Sequence, residues 1–378
     1  MVKLWNPVEE CLRRRIFDVI IGKTGNFSRI WLLQHIDFPS VLNECRLQIK
    51  QYFNGPCGAV AAIQAWLVKN LLFEKIRLRP TTNQIERLAE LRKQALIRAL
   101  TDILWRATPG QKGPVRLIVP FPPEGDVEES QFYASWMYAQ YESVTELRTA
   151  IEKHFDRVCR YGMVPFLSSV VFSRGMDRVH LEAAKDLLID PTDEDCFQPL
   201  VNLIITGRAV SNVFDSPRPC TEDDHPKRGR YGIIKRSLLG FMTSVELSNS
   251  YFTVGRYLKF PKYPIWVIHG DFHYSVLFCD DPKVIRDDPK GEVFYWYTVT
   301  AFKGALLNRQ YTVKLDVNPE TEKAPSKIDR NVTVLRDCVT IRWPKAKMTV
   351  EAMATERKIR RQDDQCEVSS ASTSSLLF

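Results

Sequence analysis

The chain has 378 residues, 44% of them hydrophobic and 26% charged, which is enough apolar material for one large globular domain or two ordinary ones. Its formal net charge of +8 is dispersed along the chain, with short basic clusters at 13–15, 227–230 and 357–361. Each cluster has acidic neighbours and no RNA-binding motif beside it, which argues against nucleic acid as the partner. No run of roughly eighteen uncharged apolar residues occurs, so no membrane-spanning helix is expected. The start, MVKLWNPVEECLRRR, puts charges and a proline where a secretory leader needs an apolar segment, and a cytoplasmic or nuclear protein is expected.

Residues 1–50 carry two aromatic-aliphatic patches, RIFDVIIG and FSRIWLLQHI. A long apolar helix is then predicted from Cys57 to about Phe73. In residues 80–107, Ile85, Leu88, Leu91, Leu96, Leu100 and Ile103 recur at helical spacing behind Thr82 or Asn83 as N-cap. RLIVPF, bracketed by Gly and Pro, predicts a strand. Residues 143–162 predict one helix, opened by a Ser143–Glu146 capping box and closed by Gly162. VPFLSSVVFSRG fits a helix or a strand, VHLEAAKDLLI is helix-like, and 215–232 is a polar loop. From Tyr251 the runs YFTVGRYLKF, PIWVI, YSVLF, VFYWYTV, YTVKLDV and CVTIRWP predict strands. Beyond residue 350 a polar, Ser-rich stretch predicts a disordered tail, 351–378, behind a domain spanning 1–350. Helices first and strands later argue an α+β fold rather than alternating βαβ units.

The nine cysteines stand apart, with no CxxC or zinc-knuckle spacing, so free thiols are expected rather than metal ligands or disulfides. Cys57 is the one with a special setting. Gly55 and Pro56 end the preceding segment, and the helix that follows has almost no polar face, as a helix buried in the middle of a domain does. Its dipole and free N–H groups favour a thiolate at Cys57, and the N–H of Cys57 or Gly58 suits an oxyanion. A packed core thiol fits the same residues, because free cysteines are commonly buried.

Of six histidines, His35, His154, His180 and His225 read as surface or packing residues. His269 and His273 share IHGDFHYSVLF, two strands joined by a short turn containing Gly270 and Asp271. His269 is expected in the turn and solvated. His273 opens the returning strand on the face of Ser275 and Leu277, a position suited to a general base. An early helical Cys with a later strand His is the chain order of papain-like cysteine proteases.

Three blocks resemble the MINDY family of deubiquitinases, in the branch of its third and fourth members. They are NGPCGAVAAIQAWLVKNLLFEK, LIITGRAVSNVFD (203–215) and VGRYLKFPKYPIWVIHGDFHYSVLF (254–278). The resemblance implies a papain-like fold, a central nucleophile helix packed on an antiparallel sheet. It also implies an isopeptidase acting on polyubiquitin and ubiquitinated proteins, preferring lysine-48-linked chains, with no metal and no cofactor. By that resemblance Cys57 matches the nucleophile, His273 the general base and Gln51 an oxyanion-hole amide. No Asp or Asn orienting His273 is evident, although Ser275 and Asp271 are near in sequence. Gly207 and Arg208 are expected to mark a turn before a short helix capping the active site, with Arg208 supporting the fold in preference to contacting ubiquitin. The chain departs from the family pattern at Asn54, where a first glycine is usual, and in EVFYWYTVTAF. Retained Cys and His do not by themselves imply turnover, so an inactive ubiquitin-binding module stands as the alternative.

Overall fold

The computed structural model describes residues 3–23, 25–41, 47–78, 81–125, 128–184, 186–216, 231–249, 252–286, 293–299, 309–314, 330–344 and 346–350. The tail expected from 351 and most of the polar loop at 215–232 lie outside them.

The chain begins with β1 (Asn6–Pro7), α1 (Glu10–Ile21) and α2 (Arg29–Leu32), followed by the long helices α3 (Cys57–Phe73) and α4 (Gln84–Ala107). Asn83 is the α4 cap, its side chain accepting from the N–H groups of Ile85 and Glu86. Next come β2 (Val115–Pro120), α5 (Glu129–Ala134) and β3 (Trp136–Tyr141), and an antiparallel sheet forms in the order β1-β3-β2. Helices α6 (Val144–Lys153), α7 (Phe155–Tyr161), α8 (Met163–Arg174), α9 (Met176–Glu182) and α10 (Gln198–Thr206) complete the helical half. The second half has β4 (Gly240–Thr243), α11 (Val245–Ser248), α12 (Arg256–Lys259), β5 (Ile265–Gly270) and β6 (His273–Cys279). It ends with β7 (Val293–Val299), β8 (Arg309–Lys314), α13 (Arg330–Arg342) and β9 (Lys347–Val350). The six strands β4 to β9 form one sheet in sequence order. It is antiparallel throughout except for the parallel pair β4–β5, which departs from the all-antiparallel sheet expected. The architecture is α+β.

Every residue of α3 from 57 to 71 is buried, and the helix packs against α4 and α10 on one side and β5 and β6 on the other. Its polar side chains are paired: Gln64 Oε1 accepts from the Ile49 N–H at 2.8 Å, and Lys69 bridges Glu74 and Asp102 at 2.7 and 3.3 Å. The opposite face of β5 and β6 supports a second core, in which Trp266, Ile268, Leu277 and Cys279 meet Leu335, Cys338, Val339 and Trp343 of the α13 region. Among the described residues no helix is long and apolar enough to cross a membrane.

Several sequence expectations are corrected. CVTIRWP lies mostly in α13: Leu335, Cys338, Val339 and Arg342 are all buried, a three-and-four spacing that serves a helix despite the β-branched composition. YFTVGRYLKF contains the short helix α12, because both carboxylate oxygens of Asp215 accept its first N–H groups, those of Arg256 and Tyr257, at 3.0 Å. Residues 143–162 form two helices instead of one. The break is at His154, whose ring sits edge-on against Trp5 and Phe121. VPFLSSVVFSRG is helical, as α8. After the left-handed cap Gly207 no helix follows; Arg208 instead joins Arg174 and the buried Glu182 in an ion cluster, at 3.4 Å from Glu182.

Candidate active site

The segment entering α3 is held from two sides. Buried Gln34 donates to the carbonyls of His35 and Lys50, both at 2.8 Å, and accepts from the Tyr52 N–H at 3.0 Å. Gln64 anchors Ile49 from within α3. The chain then turns through Gly55 at φ 95°, where a Cβ would stand 2.8 Å from the Glu194 carbonyl oxygen, so glycine is required twice over. Asn54 is absent from the positive-φ residues, so no glycine is required there. Pro56 caps the helix and Cys57 is its first residue.

Gln51 is 6% exposed, with its Nε2 donating to the Phe53 carbonyl at 2.7 Å. Its Oε1 is buried with no hydrogen-bond partner among the described residues.

The β5–β6 hairpin meets the N-terminus of α3. Gly270 pairs with His273 across a two-residue turn, Asp271 and Phe272, both left-handed at φ 51° and 59°. In such a hairpin the closing pair is the hydrogen-bonded one, so the next pair, His269–Tyr274, directs the Tyr274 N–H away from β5. On that side the described pairing with β7 begins only at Val276, and the open N–H goes to the sulfur of Cys57. The structure thus brings Cys57 against the residue next to His273. His273 opens β6 as expected, on the face of Leu277 that α13 covers.

His269 is not in the turn and not solvated. It is a β5 residue, mostly buried on the α3 face, with its ring 4.5 Å from that of Tyr274 and its Nδ1 3.3 Å from Thr243 Oγ1. Burial, with His273 nearby, pulls its pKa down to about 4. Burial also lowers His273.

Burial pushes the Cys57 thiol up to about 11, against backbone hydrogen bonds from Tyr274, Gly58 and Cys57 itself that favour the thiolate; the charge of Asp195 pushes it up further. At neutral pH the resting site therefore holds a neutral thiol beside neutral imidazoles, and reaction requires a base to take the thiol proton.

Sequence reasoning missed the loop on the far side of Cys57. Asp190 organises it by accepting from the N–H groups of Thr192 and Asp193, and Trp31 donates to the Glu194 carbonyl at 2.9 Å. The loop delivers Asp195 and Cys196, the latter donating to the Gly55 carbonyl at 3.4 Å and packed on Gly58. Only the Asp/Glu density of 190–195 hinted at it. Among the described residues no group of His, Cys, Asp and Glu is arranged to hold a metal ion.

Residues 18–351 match the family described as "Deubiquitinating enzyme MINDY-3/4, conserved domain". The chain belongs to the MINDY-3/4 family. It is 30% identical over 352 residues to "Probable ubiquitin carboxyl-terminal hydrolase MINDY-4" of Mus musculus, covering 89% of this chain and 45% of that protein. It is 30% identical over 276 residues to "Ubiquitin carboxyl-terminal hydrolase MINDY-3" of Homo sapiens, covering 65% of this chain and 59% of that protein. The chain thus spans about half the length of these MINDY relatives. No solved structure gives a significant match.

Proposed function

We propose that the chain is a thiol-dependent ubiquitinyl hydrolase of papain-like design, acting in the cytoplasm or nucleus on isopeptide bonds of polyubiquitin, lysine-48-linked chains above all. The observation that carries this reading is the placement of Cys57. It opens a buried central helix, and its sulfur accepts from the backbone N–H of Tyr274, the neighbour of His273. Membership of a deubiquitinating-enzyme family supports the substrate class.

In this mechanism the His273 ring turns from the α13 side of the hairpin end toward the sulfur and takes the Cys57 proton as the sulfur attacks the carbonyl of ubiquitin's terminal glycine. The lowered pKa of His273 keeps it neutral and able to accept at pH 7. The oxyanion is held by the N–H groups at the start of α3, with the Gln51 amide as a further donor. His273 then returns the proton to the departing lysine amine. Water, deprotonated by the same imidazole, hydrolyses the thioester and frees Cys57.

One observation favours a second reading, a catalytically inactive module that only binds ubiquitin chains: the resting thiol is buried and its pKa raised. A ubiquitin probe with a C-terminal electrophile separates the two. An adduct at Cys57 and cleavage of lysine-48-linked tetraubiquitin are expected. Chain binding by folded protein without adduct or cleavage would establish the binding module instead.

A further inference from the structure

Phe272 contributes nothing visible to the fold. It is 92% exposed, more than any other large apolar side chain among the described residues, and it sits at φ 59°. A bulky residue in the left-handed region costs about 1–2 kcal/mol, and turns of this geometry favour Asn, Asp and Gly. Asp271 satisfies that preference and Phe272 does not. A strained, solvent-facing aromatic ring beside a reacting centre points to a contact outside the chain.

Its position says which contact. The imidazole that removes the thiol proton later protonates the departing amine, so the amine lies on the His273 side of the scissile bond. Phe272 precedes His273 directly and therefore borders the leaving side rather than the side that holds the acyl tail. A second exposed apolar residue stands at the same end of the sheet. Leu247, 59% exposed, lies on α11 at the end of β4, and Ser244, just before that helix, approaches Gly270 closely enough that a Cβ there would be 2.5 Å from its Oγ.

We propose that Phe272, with Leu247 at the same end of the sheet, is the apolar contact for the lysine-bearing protein on the leaving side, the acceptor ubiquitin of a chain. This inference rests on the assignment of Cys57 and His273 made above.

The test compares two rates in the full chain: cleavage of lysine-48-linked tetraubiquitin, and Cys57 labelling by a mono-ubiquitin electrophile, which carries no protein on the leaving side. Phe272→Asn relieves the turn, so its thermal midpoint should not fall below that of the parent. The ratio of cleavage to labelling should drop on the order of ten-fold, the effect of losing one buried aromatic contact, and Phe272→Leu should restore most of it. A ratio equal to the parent's in Phe272→Asn overturns the inference. So does an equal fall in both rates, which would make Phe272 a support for His273. Absence of both labelling and cleavage in the parent chain instead removes the assignment of Cys57 and His273, and the leaving-side contact with it.

Discussion

Cys57 illustrates how one residue can be a core thiol and a candidate nucleophile together. Desolvation raises its pKa, backbone donors oppose that, and the Asp195 carboxylate adds to it. The sign is direct: with the pKa near 11, the thiolate fraction grows about ten-fold per pH unit below that value, so alkylation of Cys57 should keep accelerating from pH 7 to pH 10. Asp195→Asn removes a negative charge and should speed alkylation at pH 8 by about two- to five-fold, because exposure of Asp195 screens its effect. No change of rate in that variant would mean that the Asp195 charge does not act on the thiol. The two histidines should separate in turnover. His273→Ala is expected to lose about 100-fold or more in chain cleavage, whereas His269→Ala should stay within about ten-fold where it remains folded. The reverse order, measured on protein of verified fold, would move the base to His269.

At the scale of elements, the β5–β6 hairpin has its own pH signature. His269 titrates near 4 when folded and near 6.5 in an unfolded chain, so the unfolded state binds more protons between those values. Stability is complete above about pH 6.5 and is lost as pH falls toward 4, by about 3 kcal/mol from this residue. His269→Gln should flatten that acid limb in denaturant titrations at pH 7 and pH 5. Which elements were legible in the sequence follows from what builds them. Helix α3, the cap of α4 and the strands β5 and β6 are set by local pattern and neighbouring turn residues, and they were readable. α12 depends on Asp215, some forty positions upstream, and α13 on a sheet face that β-branched composition cannot reveal. His273 was readable from its place at the start of a strand after a short turn, Gln51 came only from the family resemblance, and the approach of Asp195 and Cys196 to Cys57 spans well over a hundred residues of chain, with no local signal.

Across the whole molecule, β5 and β6 are shared walls. One face meets α3 and the helical core, and the other meets α13. The hairpin that carries His273 is therefore clamped from both sides, and the active site should depend on the second core as well as on the first. Leu335 tests this, being 4% exposed in the second core on the side of the sheet away from α3. Leu335→Ala should destabilise the chain by about 2–5 kcal/mol, the usual range for a leucine truncated in a packed core. If the two cores unfold as one unit, loss of helical ellipticity and exposure of Cys57 to a thiol reagent will shift to lower denaturant together. If they are independent, the variant will lose the sheet signal and chain cleavage first, while α3 keeps Cys57 protected until a second transition. The packing of α3 directly onto β5 and β6, with no layer between, favours the single transition.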